Sequence, residues 1–76
     1  MSFIQFSDVG SSPSGKTRIY IVESKEEGFK LGYVKWHSAW RQYSFFPEAG
    51  TVLEKTCLRD IAEFCEEKTR KHRAGK

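Results

Sequence analysis

The sequence predicts an α+β fold, in which a three-stranded antiparallel meander packs on one C-terminal amphipathic helix (β-β-β-α). Three short segments rich in β-branched and aromatic residues follow one another between residues 17 and 46, with turn residues between them. After them, apolar side chains recur at helical spacing through residues 57–65. A single helix must bury its apolar stripe, and one face of the sheet is the surface that the chain offers.

Residues 1–16 are expected to form a mobile N-terminal segment, with a short strand at residues 2–7. Residues 8–16 are rich in serine and glycine and contain a proline, a composition typical of linkers. The β-β-β-α domain then covers residues 17–71, and a basic tail follows at residues 72–76. The start of the chain lacks a basic segment and a long apolar run, so we expect no signal peptide.

The three predicted strands are residues 17–23, 29–36 and 40–46. Gly28, in the turn before the second strand, can take a positive φ. Gly32, inside that strand, indicates a bulge or a close approach by another group. Residues 37–39 form the next turn, and Pro47 ends the third strand because proline cannot donate a backbone hydrogen bond.

Alternation along the strands places large rings on both faces of the sheet. One face of the second strand carries Leu31, Tyr33 and His37. The other face carries Val34 and Trp36. Because one helix covers only one face, the opposite face is expected to be wet, dimeric or ligand-bound, with some aromatic residues exposed.

The helix is predicted to begin at about residue 53 or 57 and to end at about residue 71. Thr51 followed by Glu54 resembles a capping box, and Thr56 is an alternative cap. The apolar stripe consists of Leu58, Ile61, Ala62 and Cys65, widened by Cys57 and Phe64. The two cysteines are expected to be buried thiols, because about 12 Å of helix rise separates them, too far for a disulfide.

The net charge of +3 at pH 7 comes from the C-terminal end of the chain. The basic side chains there, with no acid among them, are Lys68, Arg70, Lys71, Arg73 and Lys76. The rest of the chain has more acidic than basic side chains. The helix dipole favours basic residues at a helix C-terminus, and a basic tail can also contact phosphate groups.

Residues 10–17 match the phosphate-binding pattern G-x-x-x-x-G-K-[ST] letter for letter. That pattern binds phosphates when a strand precedes it and a helix follows it. Here a strand-like segment follows, and 76 residues cannot supply the parallel sheet of a nucleotide-hydrolysing fold. We interpret the match as chance.

The sequence predicts no metal site, no cofactor and no enzymatic activity. His37, His72 and the two cysteines lack the spacing of a zinc half-site. A pair of Cys57 with His37 has no third group to orient it, so nucleophilic catalysis is not indicated. No apolar run reaches the ~18 residues of a membrane helix, so no membrane contact is expected.

The strongest functional candidate is the aromatic and basic stretch from Phe29 to Phe46. Rings flanked by arginine or lysine bind single-stranded nucleic acid, and a three-stranded sheet can also enter the DNA major groove. DNA is favoured over RNA as the ligand. The residues expected to contact it are Arg18, Lys30, Lys35, Trp36, Trp40 and Arg41. An alternative interpretation places Trp36, with Tyr43 and Phe45, in the core.

Three segments resemble a group of short proteins encoded by tailed phages and prophages. They are L-G-Y-V-K-W at residues 31–36, W-R-Q-Y-S-F-F-P at residues 40–47 and C-L-R-D-I-A-E-F at residues 57–64. The similarity covers roughly residues 16–67, and the W-R-Q-Y-x-F-F-P core is distinctive. It implies a small accessory protein that acts in the cytoplasm of a bacterial host. In architecture, the strand order also resembles the DNA-reading sheets of integrase arm-type domains and plant ethylene-response factors.

Two further functions remain open at this point. A phage effector would bind a host bacterial protein through the same face, since Trp, Tyr and Arg dominate protein-binding hot spots. The same face could also close a homodimer.

Overall fold

The computed structural model describes residues 3–74, which form one antiparallel sheet with a helix on one of its faces. The elements are β1 (Ile4–Ser11), β2 (Arg18–Ser24), β3 (Lys30–His37), β4 (Gln42–Pro47) and α1 (Lys55–Ala74). Strand order in the sheet is β1-β2-β3-β4, the same as in the chain. The α+β class and the meander are therefore confirmed, with four strands in the sheet.

The strand β1 is longer than the short N-terminal strand that the sequence predicts. It pairs with β2 throughout, with a register shift between Asp8 and Gly10. The loop after it is closed by a hydrogen bond from the N–H of Ser12 to the carbonyl of Thr17, at 2.8 Å. Residues 8–16, expected as a linker, thus complete a β-hairpin. The phosphate-loop pattern lies in this hairpin, and β2 follows it rather than a helix.

The strands β2, β3 and β4 lie within two residues of their predicted positions. The largest difference is at β4, which begins at Gln42 because Trp40 and Arg41 belong to the preceding turn. Arg41 has a φ of 55°, an uncommon value for a residue with a side chain. Gly28 has a φ of 74°, which confirms the predicted positive φ in the β2–β3 turn.

Gly32 lies where β4 passes too close for any side chain. A Cβ atom at this position would overlap the carbonyl oxygen of Phe46 and would lie 2.8 Å from the Cα of Pro47. The register of the β2–β3 pair also shifts beside it, between Val22 and Glu23. The sequence offered a bulge or a close approach at this glycine, and the structure has both.

The core lies between α1 and one face of the sheet. Its buried members are Ile4, Tyr20, Val22, Val34, Tyr43, Cys57 and Ile61. Phe64 of α1 stacks on Phe6 of β1, with 3.9 Å between ring centroids. The same ring meets Tyr20 edge-on at 4.9 Å. These contacts determine where the helix crosses the sheet.

The buried stripe of α1 is rotated relative to the predicted one. Leu58 is 51% exposed and Ala62 is also exposed, so their predicted burial is wrong. The buried helix residues are Cys57, Ile61 and Thr69. A threonine continues the stripe, and a pattern built on apolar residues alone does not include it.

The N-terminus of α1 is capped by Glu54, and the predicted capping box is wrong. The Oε1 atom of Glu54 accepts a hydrogen bond from the N–H of Cys57 at 2.7 Å. This bond lowers the pKa of Glu54 below its ordinary value. Thr51 instead donates its hydroxyl to the carbonyl of Leu31 at 3.1 Å, and Thr56 lies inside the helix.

The helix α1 extends beyond its predicted end to Ala74, so residues 72–74 of the predicted tail are helical. The remainder of that tail, with Lys76, lies outside the described residues. Within residues 3–74, no helix has the length and apolar character needed to cross a membrane.

Thr69 attaches α1 to β4 through a buried hydroxyl. Its Oγ1 accepts a hydrogen bond from the N–H of Tyr43 at 3.0 Å and donates one to the carbonyl of Cys65 at 2.8 Å. Because β4 pairs only with β3 in the sheet, the N–H groups on its outer side need partners from elsewhere. The helix supplies one of them.

We predict that Thr69→Val destabilises the protein by about 1–3 kcal/mol, because it leaves the buried N–H of Tyr43 without an acceptor. Urea unfolding followed by circular dichroism measures this change. Thr69→Ser is the control, since it keeps the hydroxyl and both hydrogen bonds. An unfolding free energy for Thr69→Val equal to or above that of Thr69→Ser would contradict the role given to this hydroxyl.

Candidate binding surface

The face of the sheet opposite α1 is packed against no other element of residues 3–74. Side chains alternate along a strand, so the neighbours of buried Tyr20, Val22 and Val34 point to this side. We call it the open face. Its members are Gln5, Ser7, Ile19, Ile21, Glu23, Tyr33, Lys35, His37, Ser44 and Phe46. Leu31, predicted to share this face, packs against the core instead.

A row of rings crosses the open face along β3, β4 and the turn between them. Tyr33 lies directly opposite Phe46 in the strand register. His37 meets Phe46 edge-on, with 5.8 Å between ring centroids, and meets Trp40 edge-on at 4.7 Å. Trp40 ends the row and is 65% exposed. We call Tyr33, Phe46, His37 and Trp40 the aromatic row.

Lysine ammonium groups lie over rings of this row. The Nζ of Lys35 is 4.7 Å from the ring centroid of Phe46. The Nζ of Lys30 is 4.8 Å from that of Tyr33 and donates a hydrogen bond to its phenol oxygen at 2.8 Å. This hydrogen bond, together with the carboxylate of Glu48, raises the pKa of Lys30. The open face therefore combines rings with lysine ammonium groups.

The predicted site residues do not form a single patch. The open face and its adjoining turn carry Lys30, Lys35 and Trp40. Trp36 points to the opposite, helix-covered side, where its ring meets that of Tyr43 edge-on at 5.5 Å. Sheet alternation therefore separates Trp36 from Lys35, and the core interpretation describes the placement of Trp36 better.

Trp36 and Arg41 lie together beside the C-terminus of α1. The ring centroid of Trp36 is 4.6 Å from that of His72. The guanidinium of Arg73 donates a hydrogen bond to the backbone carbonyl of Arg41 at 3.0 Å. The helix end is thus held against the β3–β4 turn, on the other side of the sheet from the aromatic row.

Arg18 is paired with a carboxylate. Its Nε and Nη2 donate to the two carboxylate oxygens of Asp8, at 3.1 and 2.9 Å. The hydrogen bond lowers the pKa of Asp8 and raises that of Arg18. A solvent-exposed pair of this kind adds little stability. It does neutralise the cation, so Arg18 is poorly suited to bind an anionic ligand.

Opposite ends of the sheet differ in charge. The hairpin loop after β1, the β3–β4 turn and the C-terminus of α1 share one end, because the strands alternate in direction. This basic end carries Lys16, Arg18, Arg41, Arg70, Lys71 and Arg73. Arg18 and Lys71 are paired there with Asp8 and Glu67. The connections at the other end carry four acidic residues, Glu26, Glu27, Glu48 and Glu54, and one basic residue, Lys25.

Both thiols have a raised pKa. Burial, with a smaller contribution from Glu66, raises the pKa of Cys65 to about 11. Burial also raises the pKa of Cys57. Both cysteines are free, and residues 3–74 contain no group of three or more His, Cys, Asp and Glu side chains able to hold a metal ion.

Sequence reasoning left Tyr33, His37 and Phe46 out of the predicted site. Alternation did place Tyr33 and His37 on one face of the second strand. Once Val34 is assigned to the core, the same alternation assigns both rings to the open face. The missing information was which face the helix covers.

We predict that acrylamide quenches Trp40 much more strongly than Trp36, because Trp40 is 65% exposed while Trp36 packs against Tyr43 and His72. The single-tryptophan variants Trp36→Phe and Trp40→Phe separate the two signals. The Stern–Volmer constant should be several times larger when Trp40 is the remaining indole. Equal constants would contradict the assignment of the two indoles to different sides.

Comparison with known proteins identifies a phage relative. The sequence is 34% identical over 62 residues to an uncharacterised 9.3 kDa protein of Acholeplasma phage L2, and the match covers 82% of this chain and 78% of that protein. No family model matches the chain, and no solved structure matches it with statistical significance. The chain belongs to the same family as this protein of Acholeplasma phage L2.

Proposed function

We propose that this protein is a small, non-enzymatic phage accessory protein that binds single-stranded nucleic acid through the open face, in the cytoplasm of a bacterial host. The aromatic row, with Lys35 beside it, carries this proposal. Lys30 also lies beside the row, but its ammonium is paired with the carboxylate of Glu48 at 3.7 Å. Unpaired bases stack on such rings and the ammonium groups contact phosphates. DNA is favoured over RNA by the architectural resemblance to DNA-reading sheets.

The lysines that lie over the rings do not prevent stacking. A cation–π contact at an exposed site contributes only ~0.5–1 kcal/mol. A stacked base contributes ~1–3 kcal/mol. A base can therefore replace the ammonium of Lys35 over Phe46. The displaced ammonium then contacts a phosphate of the same strand.

The basic end extends this surface beyond the rings. Trp40, the last member of the aromatic row, is followed in the chain by Arg41. A strand whose bases stack along the row would thus reach a region where arginines and lysines outnumber acids. We further propose that the W-R-Q-Y-x-F-F-P core is shared within the family, because it contributes both Trp40 and Phe46 to the row.

We predict that Trp40→Ala weakens binding of a labelled oligothymidylate by ~1–3 kcal/mol, because one stacked base is lost. Fluorescence anisotropy measures the affinity. Lys35→Gln should instead reduce the dependence of log K on log salt concentration by about 0.7, the contribution of one phosphate contact to a single strand.

Matched controls come from the other end of the sheet. Phe29→Ala removes a ring that is 63% exposed but outside the aromatic row, and Lys25→Gln removes an exposed lysine in the same turn. Neither should change the affinity for the oligonucleotide. Binding of DNA and RNA that is micromolar or weaker and insensitive to salt would reject the proposal.

A protein partner is the second candidate, favoured by one observation. Trp40 is an exposed indole, and Ile19 and Ile21 lie on the same face as the aromatic row. Affinity purification from nuclease-treated bacterial lysate distinguishes the two functions. One stoichiometric protein partner, lost with Trp40→Ala, would support an effector. A molecular mass in light scattering near twice that of the monomer would support a homodimer.

A further inference from the structure

A cleft of about 390 Å³ opens at the basic end, between the β3–β4 turn and the C-terminus of α1. It is lined by Trp36, Arg41, His72 and Arg73. Its volume falls within the ~300–1,000 Å³ typical of small-molecule sites. It lies on the helix-covered side of the sheet, so it is distinct from the open face.

The cleft is suited to an anion. No carboxylate lines it, and the ion pairs of residues 3–74 involve neither Arg41 nor Arg73. Arg73 uses one N–H group on the carbonyl of Arg41, and each guanidinium has five N–H donors. Paired guanidinium forks are the groups that bind phosphate oxygens most effectively.

Hydrogen bonds to the backbone hold together the turn and the helix end that carry these two arginines. The hydrogen bond from Arg73 holds the end of α1 against the turn. The N–H of Arg41 donates to the carbonyl of His37 at 2.8 Å, which keeps the turn closed. The guanidinium of Arg73 is therefore tied to ordered backbone, which reduces the entropy lost when a ligand binds. For Arg41, the closed turn orders the backbone from which the side chain extends.

An aromatic wall stands beside the guanidinium groups. The ring of Trp36 lies 4.6 Å from that of His72, and both border the cleft. A phosphate attached to a flat heterocycle can contact both the rings and the arginines of the cleft. The heterocycle stacks on the rings, and the phosphate accepts hydrogen bonds from the arginines. A phosphate monoester, with a charge of roughly −1.5 to −2, should bind better than an internal diester.

We propose that this cleft binds a nucleotide through a terminal phosphate monoester, either at the end of a nucleic-acid strand or in a free nucleotide. Binding of a strand end rests on the proposed function, because the rest of that strand would occupy the open face. Binding of a free nucleotide does not depend on it. Trp40 of the aromatic row and Arg41 of the cleft are consecutive residues, so one strand can reach both sites around the turn.

The test compares ligands that differ only in the phosphate. A Trp40→Phe protein leaves Trp36 as the reporter of the cleft, and it is titrated with thymidine monophosphate and with thymidine. Wild-type protein is titrated with oligothymidylates that carry a phosphate or a hydroxyl at the 5′ or the 3′ end. We expect a phosphorylated end to bind roughly tenfold more tightly, the effect of one or two hydrogen bonds to a charged group.

The double variant Arg41→Gln/Arg73→Gln should abolish this preference. The control Lys55→Gln/Arg59→Gln removes the same charge from the N-terminal part of α1 and should preserve it. If the double arginine variant does not fold, the affinities of the wild-type protein for phosphorylated and hydroxyl ends still test the inference. Equal binding of phosphorylated and hydroxyl ends, with no Trp36 response specific to the monophosphate, would overturn the inference.

The outcomes also separate this inference from the proposed function. If hydroxyl-ended oligonucleotides bind and Trp40→Ala weakens that binding, the result supports nucleic-acid binding at the open face. This conclusion does not depend on whether the cleft binds a phosphate. A monophosphate that binds while oligonucleotides do not would support the cleft as a nucleotide site and reject the proposed function.

Discussion

The packing of α1 on one face of the sheet decides which side chains of this protein meet solvent. Phe64 stacks on Phe6, and Thr69 accepts a hydrogen bond from Tyr43, so the helix is anchored at both edge strands. A single helix is about 10–12 Å across, whereas strands lie roughly 4.8 Å apart and each sheet has two faces. The helix therefore buries one set of alternating residues and leaves the other in contact with water.

Several of the uncovered side chains are aromatic, which solubility alone does not require. A solvated sheet face usually carries small polar and charged side chains, yet here Tyr33 and Phe46 lie opposite each other and Trp40 continues their row. Charge reinforces the pattern, because basic groups collect at the end of the sheet where that row finishes. The rings of His37, Phe46 and Trp40 contact one another, and this arrangement is the basis of the proposal that the open face binds nucleic acid.

The sequence predicts the meander, the helix, the turn at Gly28 and the irregularity at Gly32 inside β3, because these depend on local pattern. It underestimates β1, since the serine and glycine of a hairpin loop look like those of a linker. It misplaces the buried helix stripe because Thr69 is polar. For the site, alternation separates the faces but does not show which one the helix covers. That choice depends on packing between distant segments. Grouping Trp36 with Lys35 in one site conflicts with alternation itself, because consecutive residues of a strand lie on opposite faces whichever face the helix covers.

The central claim is that nucleic acid binds to the face of the sheet that α1 leaves uncovered. Methyl signals in a ¹³C NMR spectrum test it most directly, because neighbouring residues of β2 report on opposite faces. Ile19 and Ile21 belong to the open face, while Val22 is buried beneath α1 together with Val34 of β3. During titration with an oligothymidylate, the isoleucine methyl signals should shift and the valine methyl signals should stay in place. Shifts confined to Val22 and Val34, or no shift in any of these signals, would contradict nucleic-acid binding at the uncovered face.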